Sequence, residues 1–260
     1  MTFTVFSVTF AAVVLLMLLV WLLSLIRRDA SIVDIFWGLG FTLIANVAFV
    51  AGSGYPPRKL LITTLTSLWG LRLAGYLLWR NWGHEEDYRY QAMRRQHGGR
   101  FWFVSLYLVF GLQGALMWVV SLPVQVAQAS ALPAHLTVLD AVGAALWAIG
   151  LGFEAIGDFQ LARFKADPNH RGKVMDRGLW RYSRHPNYFG DAMVWWGLFC
   201  IALATPGGIW TAVGPAVMTF FLMRVSGVAL LERKLKKTRP EYADYVQRTS
   251  AFVPWFRKGS

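Results

Sequence analysis

From Phe3 to Ile26 the chain runs without a single charged side chain, longer than the ~18 apolar residues that separate a membrane-spanning helix from a core helix or strand. No Lys or Arg precedes this run and Arg27-Arg28 follow it. A secretory signal has its charge at the other end, so the run reads as a retained span. Six further apolar segments follow, at about Ser31–Ala51, Leu60–Trp79, Phe101–Ala127, Leu136–Leu161, Tyr188–Ala204 and Ile209–Leu231, each ended by Pro, Gly or charges. With 56% hydrophobic and only 15% charged residues, against about 25% charged in soluble domains, a soluble single domain is excluded. Unpaired backbone amides cost several kcal/mol each in hydrocarbon, and no ten-residue alternation suggests barrel strands. The expectation is an all-α, polytopic membrane protein with seven transmembrane helices. Over residues 1–260 no repeat, low-complexity segment or linker appears, so one membrane-embedded domain is expected.

Basic residues orient the spans, because Lys and Arg resist translocation. Of the 26 Lys and Arg residues, 22 fall after the first, third, fifth and seventh runs, while the opposite side has only Arg58 and Lys59. This places the N-terminus outside and the C-terminus in the cytoplasm, as in a multi-pass protein of a bacterial inner membrane. The net charge of +12 is thus concentrated on one face, which suits either anionic lipid or an anionic ligand. The longest basic connection, Phe164 to His185, intersperses its charges with Gly, Asn, Tyr and Trp, unlike a Lys-rich lipid-binding run. The single Cys200 permits no intrachain disulfide, and the five histidines show no HExxH spacing, so no metal site is expected. Neither a nucleic acid nor an obligate protein partner is expected.

Asp34, Arg72, Glu154, Asp158, Asp191 and Arg224 lie within the apolar runs. Such charges are expensive in a bilayer and mark either internal ion pairs or a polar cavity. The sequence Gly150-Leu-Gly-Phe-Glu-Ala155 matches a dinucleotide fingerprint, but it lacks the preceding strand that mechanism needs and reads as small residues for helix packing. The stretch Asp176-Arg-Gly-Leu-Trp-Arg-Tyr-Ser-Arg-His-Pro-Asn-Tyr-Phe-Gly-Asp191 is more informative. Arg177, Arg181 and Arg184 could neutralise phosphates, and Tyr182 and Tyr188 could stack on flat rings. Asn187 and Asp191, four apart, share a helical face suited to a carboxamide or ribose hydroxyls. An interfacial girdle of Arg, Tyr and Trp is the alternative.

This stretch, with Trp195-Trp196-Gly197 and the later Arg224, Glu232, Tyr242, Tyr245 and Phe252-Val-Pro254, resembles the signature of membrane steroid 5α-reductases, sterol reductases and bacterial steroid 5α-reductase-like proteins. Likeness to the bacterial group spans nearly the whole chain, including Ser31-Ile-Val-Asp-Ile-Phe-Trp-Gly38 and Glu86-Asp-Tyr-Arg-Tyr90; to the animal enzymes it begins near Leu151. The resemblance implies a reductase acting on CH–CH bonds, like a 3-oxo-5α-steroid 4-dehydrogenase. NADPH would occupy a cytoplasm-facing cavity and reduce the activated double bond of a steroid-like or other lipid enone. It implies a substrate side in about residues 1–100 and a cofactor-binding part in about 150–256. It assigns cofactor contacts to Arg72, Arg80, Asn81, Asp158, Arg163, Arg171, Lys173, Arg177, Tyr182, Arg184, His185, Asn187, Tyr188, Asp191, Arg224 and Tyr245. The carbonyl-holding acid falls on Asp34, the candidate catalytic residue, which burial would keep protonated. The tyrosine expected three residues before Arg72 is replaced by Trp69, which can donate a hydrogen bond but cannot protonate an enolate. Arg184-His-Pro-Asn-Tyr-Phe-Gly190 also fits isoprenylcysteine-methyltransferase-like proteins that bind S-adenosylmethionine, the alternative reading, and a non-enzymatic lipid-binding protein is a third.

Overall fold

The computed structural model describes residues 2–225, 228, 231, 232, 235 and 238–257. Arg233, Lys234, Lys236, Lys237 and Lys258, which contribute to the basic C-terminal side, lie outside the described residues, as does part of the seventh apolar run. Among the described residues the chain is all-helical, with no strand beyond an isolated bridge between Ser183 and Ser250. The helices are α1 (Thr2–Arg27), α2 (Val33–Ala51), α3 (Pro56–Asn81), α4 (Tyr88–His97), α5 (Phe101–Ser105), α6 (Leu112–Val120), α7 (Leu122–Ala129), α8 (Val138–Ala166), α9 (Pro186–Leu203), α10 (Val213–Phe220) and α11 (Tyr242–Arg248).

Among the described residues, six helical segments are long and apolar enough to cross a membrane: Phe3–Arg27, Ala30–Ala51, Pro56–Asn81, Tyr88–Val120, Val138–Ala166 and Gly208–Val225. The chain therefore has the build of an integral multi-pass membrane protein. α9 corresponds to the expected sixth span and is helical over 18 residues, but it falls outside this set. Pro186, Asn187 and Asp191 occupy its first turns and offset the apolar run that follows. The run expected at Phe101–Ala127 is not one α-helix. A π-helical turn at Leu106–Gly111 separates α5 from α6, and the chain breaks again at Ser121. Pro123 explains the second break, since a proline lacks the amide hydrogen of a helix interior and is tolerated only in a first turn.

The chain forms two compact units, each assembled from separated stretches, which is why no linker interrupts the composition. The first comprises Met1–Ala141 and Leu198–Gly214. Here α2 and α3 cross where two glycines meet: a Cβ on Gly38 would lie 2.1 Å from the Gly70 carbonyl oxygen. Around that crossing Phe41, Ile44, Ile62 and Trp69 are fully buried. Arg58 is also fully buried, its Nε 2.7 Å from Asp140 Oδ1 and its Nη2 2.9 Å from Oδ2. Two further guanidinium hydrogens go to the carbonyls of Pro133 and His135. A charge stripped of water needs such pairing.

The second unit comprises Val142–Gly197 and Pro215–Ser260. Glycines seven residues apart, two helical turns, let the α8 and α9 backbones touch. A Cβ on Gly150 would stand 2.6 Å from Gly190 O, one on Gly190 2.5 Å from Gly150 O, and one on Gly197 2.7 Å from Gly143 O. Of Gly150-Leu-Gly-Phe-Glu-Ala155, Gly150 thus belongs to a packing seam on α8, while Gly152 faces open space. The C-terminal segment is fastened to the loop before α9 by Ser250 O accepting from Arg184 N at 2.9 Å, Phe252 O from Ser183 Oγ at 2.7 Å and Tyr182 O from Trp255 N at 2.9 Å.

Candidate functional site

The glycine seam carries the start of α9 against α8. A Cβ on Gly157 would approach the Asn187 amide nitrogen to 3.2 Å, so α8 can come this close only because residue 157 is glycine. The next residue, Asp158, is 6% exposed and accepts from Asn187 Nδ2 at 3.0 Å. Asn187 Oδ1 is buried with no hydrogen-bond partner among the described residues. Glu154, one turn earlier on α8, is also buried, and Asp191 follows Asn187 by one turn on the same face of α9. The arrangement presents a carboxamide acceptor beside carboxylates, which can receive N–H or O–H donors but repels an anion.

Arg184 and His185 face a different partner. Arg184 is buried, its Nε 2.8 Å from Glu232 Oε1 and its Nη1 bonded to the carbonyls of Val246 and Thr249. Its charge is committed inside the protein, so Arg184 ties the loop to the C-terminal segment and does not join the exposed cations. His185 Nε2 lies 3.4 Å from the same Glu232 oxygen, and its ring stacks on Tyr188 with centroids 5.5 Å apart. Burial pushes the Glu232 carboxyl up, but the hydrogen bonds and charges of His185 and Arg184 outweigh it and hold the group at about 2. Tyr245 also points inward, donating to Trp180 O, and burial pushes its hydroxyl well above the ordinary range.

Arg163, Arg171, Lys173, Arg177 and Arg181 are exposed and form no ion pair among the described residues. Tyr182 is 40% exposed, with Phe256 against its ring edge. Asp176 pairs with Arg257 at 2.8 Å. Arg224 is exposed in a π-helical turn, Phe221–Val225. The basic connection thus offers several solvated cations and, in Tyr182, an accessible aromatic ring.

In the first unit, Arg72 and Arg80 each lie 5.7 Å from the Tyr76 ring centroid, and Arg80 Nε donates to Asn81 Oδ1 at 3.1 Å. Asp34 is neither a lone carboxylate nor a helix cap. It sits in the first turn of α2, where Ile32 holds the cap position. Its Oδ2 accepts from Arg89 Nη2 at 2.8 Å and its Oδ1 from the Tyr90 hydroxyl at 2.8 Å. Gln113 Nε2 donates to the Tyr90 oxygen at 3.1 Å, and Trp37 Nε1 donates to Gln113 Oε1. Glu86 accepts from Ala30 N and from Arg94. The two stretches Ser31–Gly38 and Glu86–Tyr90 are therefore halves of one polar cluster. Reading each stretch separately missed Arg89 and Tyr90 as partners of Asp34. Trp69 is fully buried, with its ring 5.6 Å from that of Phe41.

Residues 20–249 match the model of the family described as "Protein of unknown function (DUF1295)". The chain belongs to that family. The match to DUF1295 takes in both the Asp34 cluster and the Asp158–Asn187 contact. No curated protein and no solved structure matches this DUF1295 chain.

Proposed function

We propose that this chain is a seven-span membrane reductase, similar to steroid 5α-reductases, that uses NADPH to saturate an activated C=C bond in a steroid-like or other lipid enone. The N-terminus would lie outside and the cofactor residues on the cytoplasmic side. The observation that carries the reading is Asn187 Oδ1, a buried acceptor beside Asp158 without a partner among the described residues. Buried polar atoms are almost always paired, and a carboxamide N–H or a ribose hydroxyl is the donor such an atom fits. Exposed Arg163, Arg171, Lys173 and Arg177 suit a ligand with several phosphates, and the open face of Tyr182 suits a flat ring. When bound, NADPH supplies the hydride that the double bond accepts.

The remaining chemistry belongs to the chain. Negative charge develops on the substrate carbonyl oxygen, which requires hydrogen-bond donors aimed at it. Asp34 as a carboxylate accepts hydrogen bonds on both oxygens and cannot itself donate. The single hydroxyl hydrogen of Tyr90 goes to Asp34, whereas Arg89 Nη1 is uncommitted among the described residues, so in this proposal Arg89 faces the carbonyl and Asp34, braced by Tyr90, holds it in place. The deciding experiment is thermal stabilisation of the purified chain by NADPH, NADH and S-adenosylmethionine. A ligand at 100 times its dissociation constant adds about 2.7 kcal/mol of stability. Stabilisation by NADPH that Asn187→Ala removes supports the proposal. Stabilisation by S-adenosylmethionine alone would replace it with a methyltransferase.

A further inference from the structure

A second polar feature of the first unit is unrelated to the reductase proposal. Beyond the end of α1 lies a cavity of about 320 Å³ with Ser24, Leu25, Arg28, Arg94, Phe101 and Trp102 in its wall. Its two ends differ in chemistry. Leu25, Phe101 and Trp102 form an apolar side, and Arg94 lies over the Phe101 ring, 4.5 Å from the centroid. At the other end Arg94 grips Glu86 through Nε at 3.0 Å and Nη2 at 2.8 Å, which leaves Nη1 without a hydrogen-bond partner among the described residues. The Arg28 side chain is exposed and makes no ion pair among them. The nearby carboxylate of Asp29 is occupied by Ser31, through its amide and hydroxyl.

Arg28 is held in place by its backbone. It is the one described non-glycine residue with positive φ, at 54°, a conformation that costs an L-residue of order 1–3 kcal/mol and persists only where neighbours impose it. The end of α1 imposes it: Asp29 N donates to Ser24 O at 3.1 Å and Arg28 N to Leu25 O at 3.4 Å, the closure that places a left-handed residue after a helix, and Arg94 Nη2 adds a bond to Arg28 O at 3.3 Å. Glu86 pairs with Arg94, and the Asp29 carboxylate next in sequence to Arg28 forms no ion pair with it among the described residues, so the Arg28 guanidinium and Arg94 Nη1 remain as two donors open to an anion. Its depth is equally defined. The span Phe3–Arg27 ends one residue before Arg28. Trp21, less than two turns before that end, donates from Nε1 to Trp102 O at 2.9 Å, in the manner of the aromatic residues that collect at headgroup level. Two open arginine donors at an interfacial cavity with one apolar wall match a phosphodiester bearing acyl chains.

We propose that this cavity binds the headgroup of an anionic phospholipid, with the phosphate between Arg28 and Arg94 Nη1 and the first acyl carbons along Leu25, Phe101 and Trp102. The test uses the full chain, delipidated in neutral detergent, with phosphatidylglycerol, phosphatidylcholine and inorganic phosphate as probes. Native mass spectrometry reads retention of one lipid, and melting temperature reads affinity. Arg28→Asn removes the charge with a residue that tolerates the left-handed backbone. Leu25→Trp obstructs the apolar wall while leaving both arginines. Each should weaken phosphatidylglycerol binding by roughly tenfold or more, the loss expected for one charge-assisted hydrogen bond or an equivalent contact. Arg27→Asn, which changes a residue outside the cavity, should leave binding unchanged. Wild-type binding in both cavity variants overturns the proposal. So does an equal loss in Arg27→Asn, which would mean diffuse surface attraction, and so does equal affinity for phosphatidylcholine. If millimolar inorganic phosphate stabilises the protein as strongly as phosphatidylglycerol does, the ligand is a soluble phosphate and the lipid assignment is wrong.

Discussion

Asn187 gives an amide hydrogen to Asp158 Oδ1 across 3.0 Å and keeps its own carbonyl oxygen buried and, among the described residues, unbonded. The contact fixes which end of the amide faces α8, because the carboxylate can only accept. Asn187→Ala should therefore weaken NADPH binding by roughly 10–100-fold, the equivalent of about 1–3 kcal/mol for a lost buried hydrogen bond. Asp191→Ala should weaken it as well, with expression of both variants near wild type. Fluorescence titration of the two purified variants measures this, and unchanged affinity in both removes α9 from the cofactor site.

The exposed cations of the α8–α9 connection predict a choice between cofactors. Replacing Arg171, Lys173 and Arg177 with Gln should lower affinity for NADPH more than for NADH, since the additional phosphate of NADPH has two further negative charges to be met. The difference should shrink as salt rises, because exposed charges are screened within about 10 Å at 0.1 M. Equal losses for both cofactors in parallel titrations would place the three residues outside the cofactor's reach.

Asp34→Asn and Tyr90→Phe test the carbonyl end. If Arg89 faces the substrate oxygen and Asp34 with Tyr90 sets its position, each variant should keep NADPH bound and lose turnover, by up to the roughly 10²–10³ that losing one oxyanion donor costs. A purely structural cluster gives the opposite pattern, a lower melting temperature with turnover per folded molecule preserved. Measuring both quantities on both variants separates the two outcomes.

Acid sensitivity follows from Glu232. Its carboxyl titrates at about 2 in the fold against an ordinary 4.5, because His185 and Arg184 overcome the opposing effect of burial. A depressed folded-state pKa contributes stability that is complete above about pH 4.5 and is lost as pH falls toward about 2. Melting temperature should therefore drop across that window in the wild type. Glu232→Gln should be less stable at neutral pH and show a flatter acid limb. A parallel limb in the variant would mean that other carboxylates govern acid unfolding.

The buried Arg58–Asp140 pair predicts an asymmetry. Asp140→Asn leaves a guanidinium without its counter-charge and should cost about 3–5 kcal/mol, whereas replacing both residues with Met and Leu should recover much of that loss. Thermal melts of the single and double variants read this directly. Additive destabilisation would show that the pair itself is not coupled.

The helical class was legible because length and apolarity suffice to recognise it: an uncharged run such as residues 3–26 has few other destinations in a folded chain. Gly150 was legible as a packing residue once the missing strand excluded a phosphate loop, whereas Gly152 of the same motif faces open space. Other features were not. Arg89 lies 55 residues from Asp34 in a polar connection, and nothing in its own neighbourhood marks it as turned toward a helix. Arg184 belongs to the same basic stretch as Arg177 and Arg181, and only the path of the C-terminal segment shows that it is enclosed while they are solvated. The break at Ser121 was signalled by Pro123, but apolar residues on both sides made the run read as continuous. The two units were invisible because each is built from stretches that the other interrupts.

The contact between Gly150 and Gly190 has a genetic consequence. Where backbone rests on backbone, no rotamer change can absorb an added methyl group, so Gly150→Ala or Gly190→Ala must move a helix. Gly150 stands seven residues before Gly157, roughly 10 Å along the axis, yet a wedge there would tilt the start of α9 and pull Asn187 from Asp158. In a screen for lost activity such alleles would score with substitutions at Asn187 itself. Distance from the polar residues would then be a poor guide to which positions tolerate change.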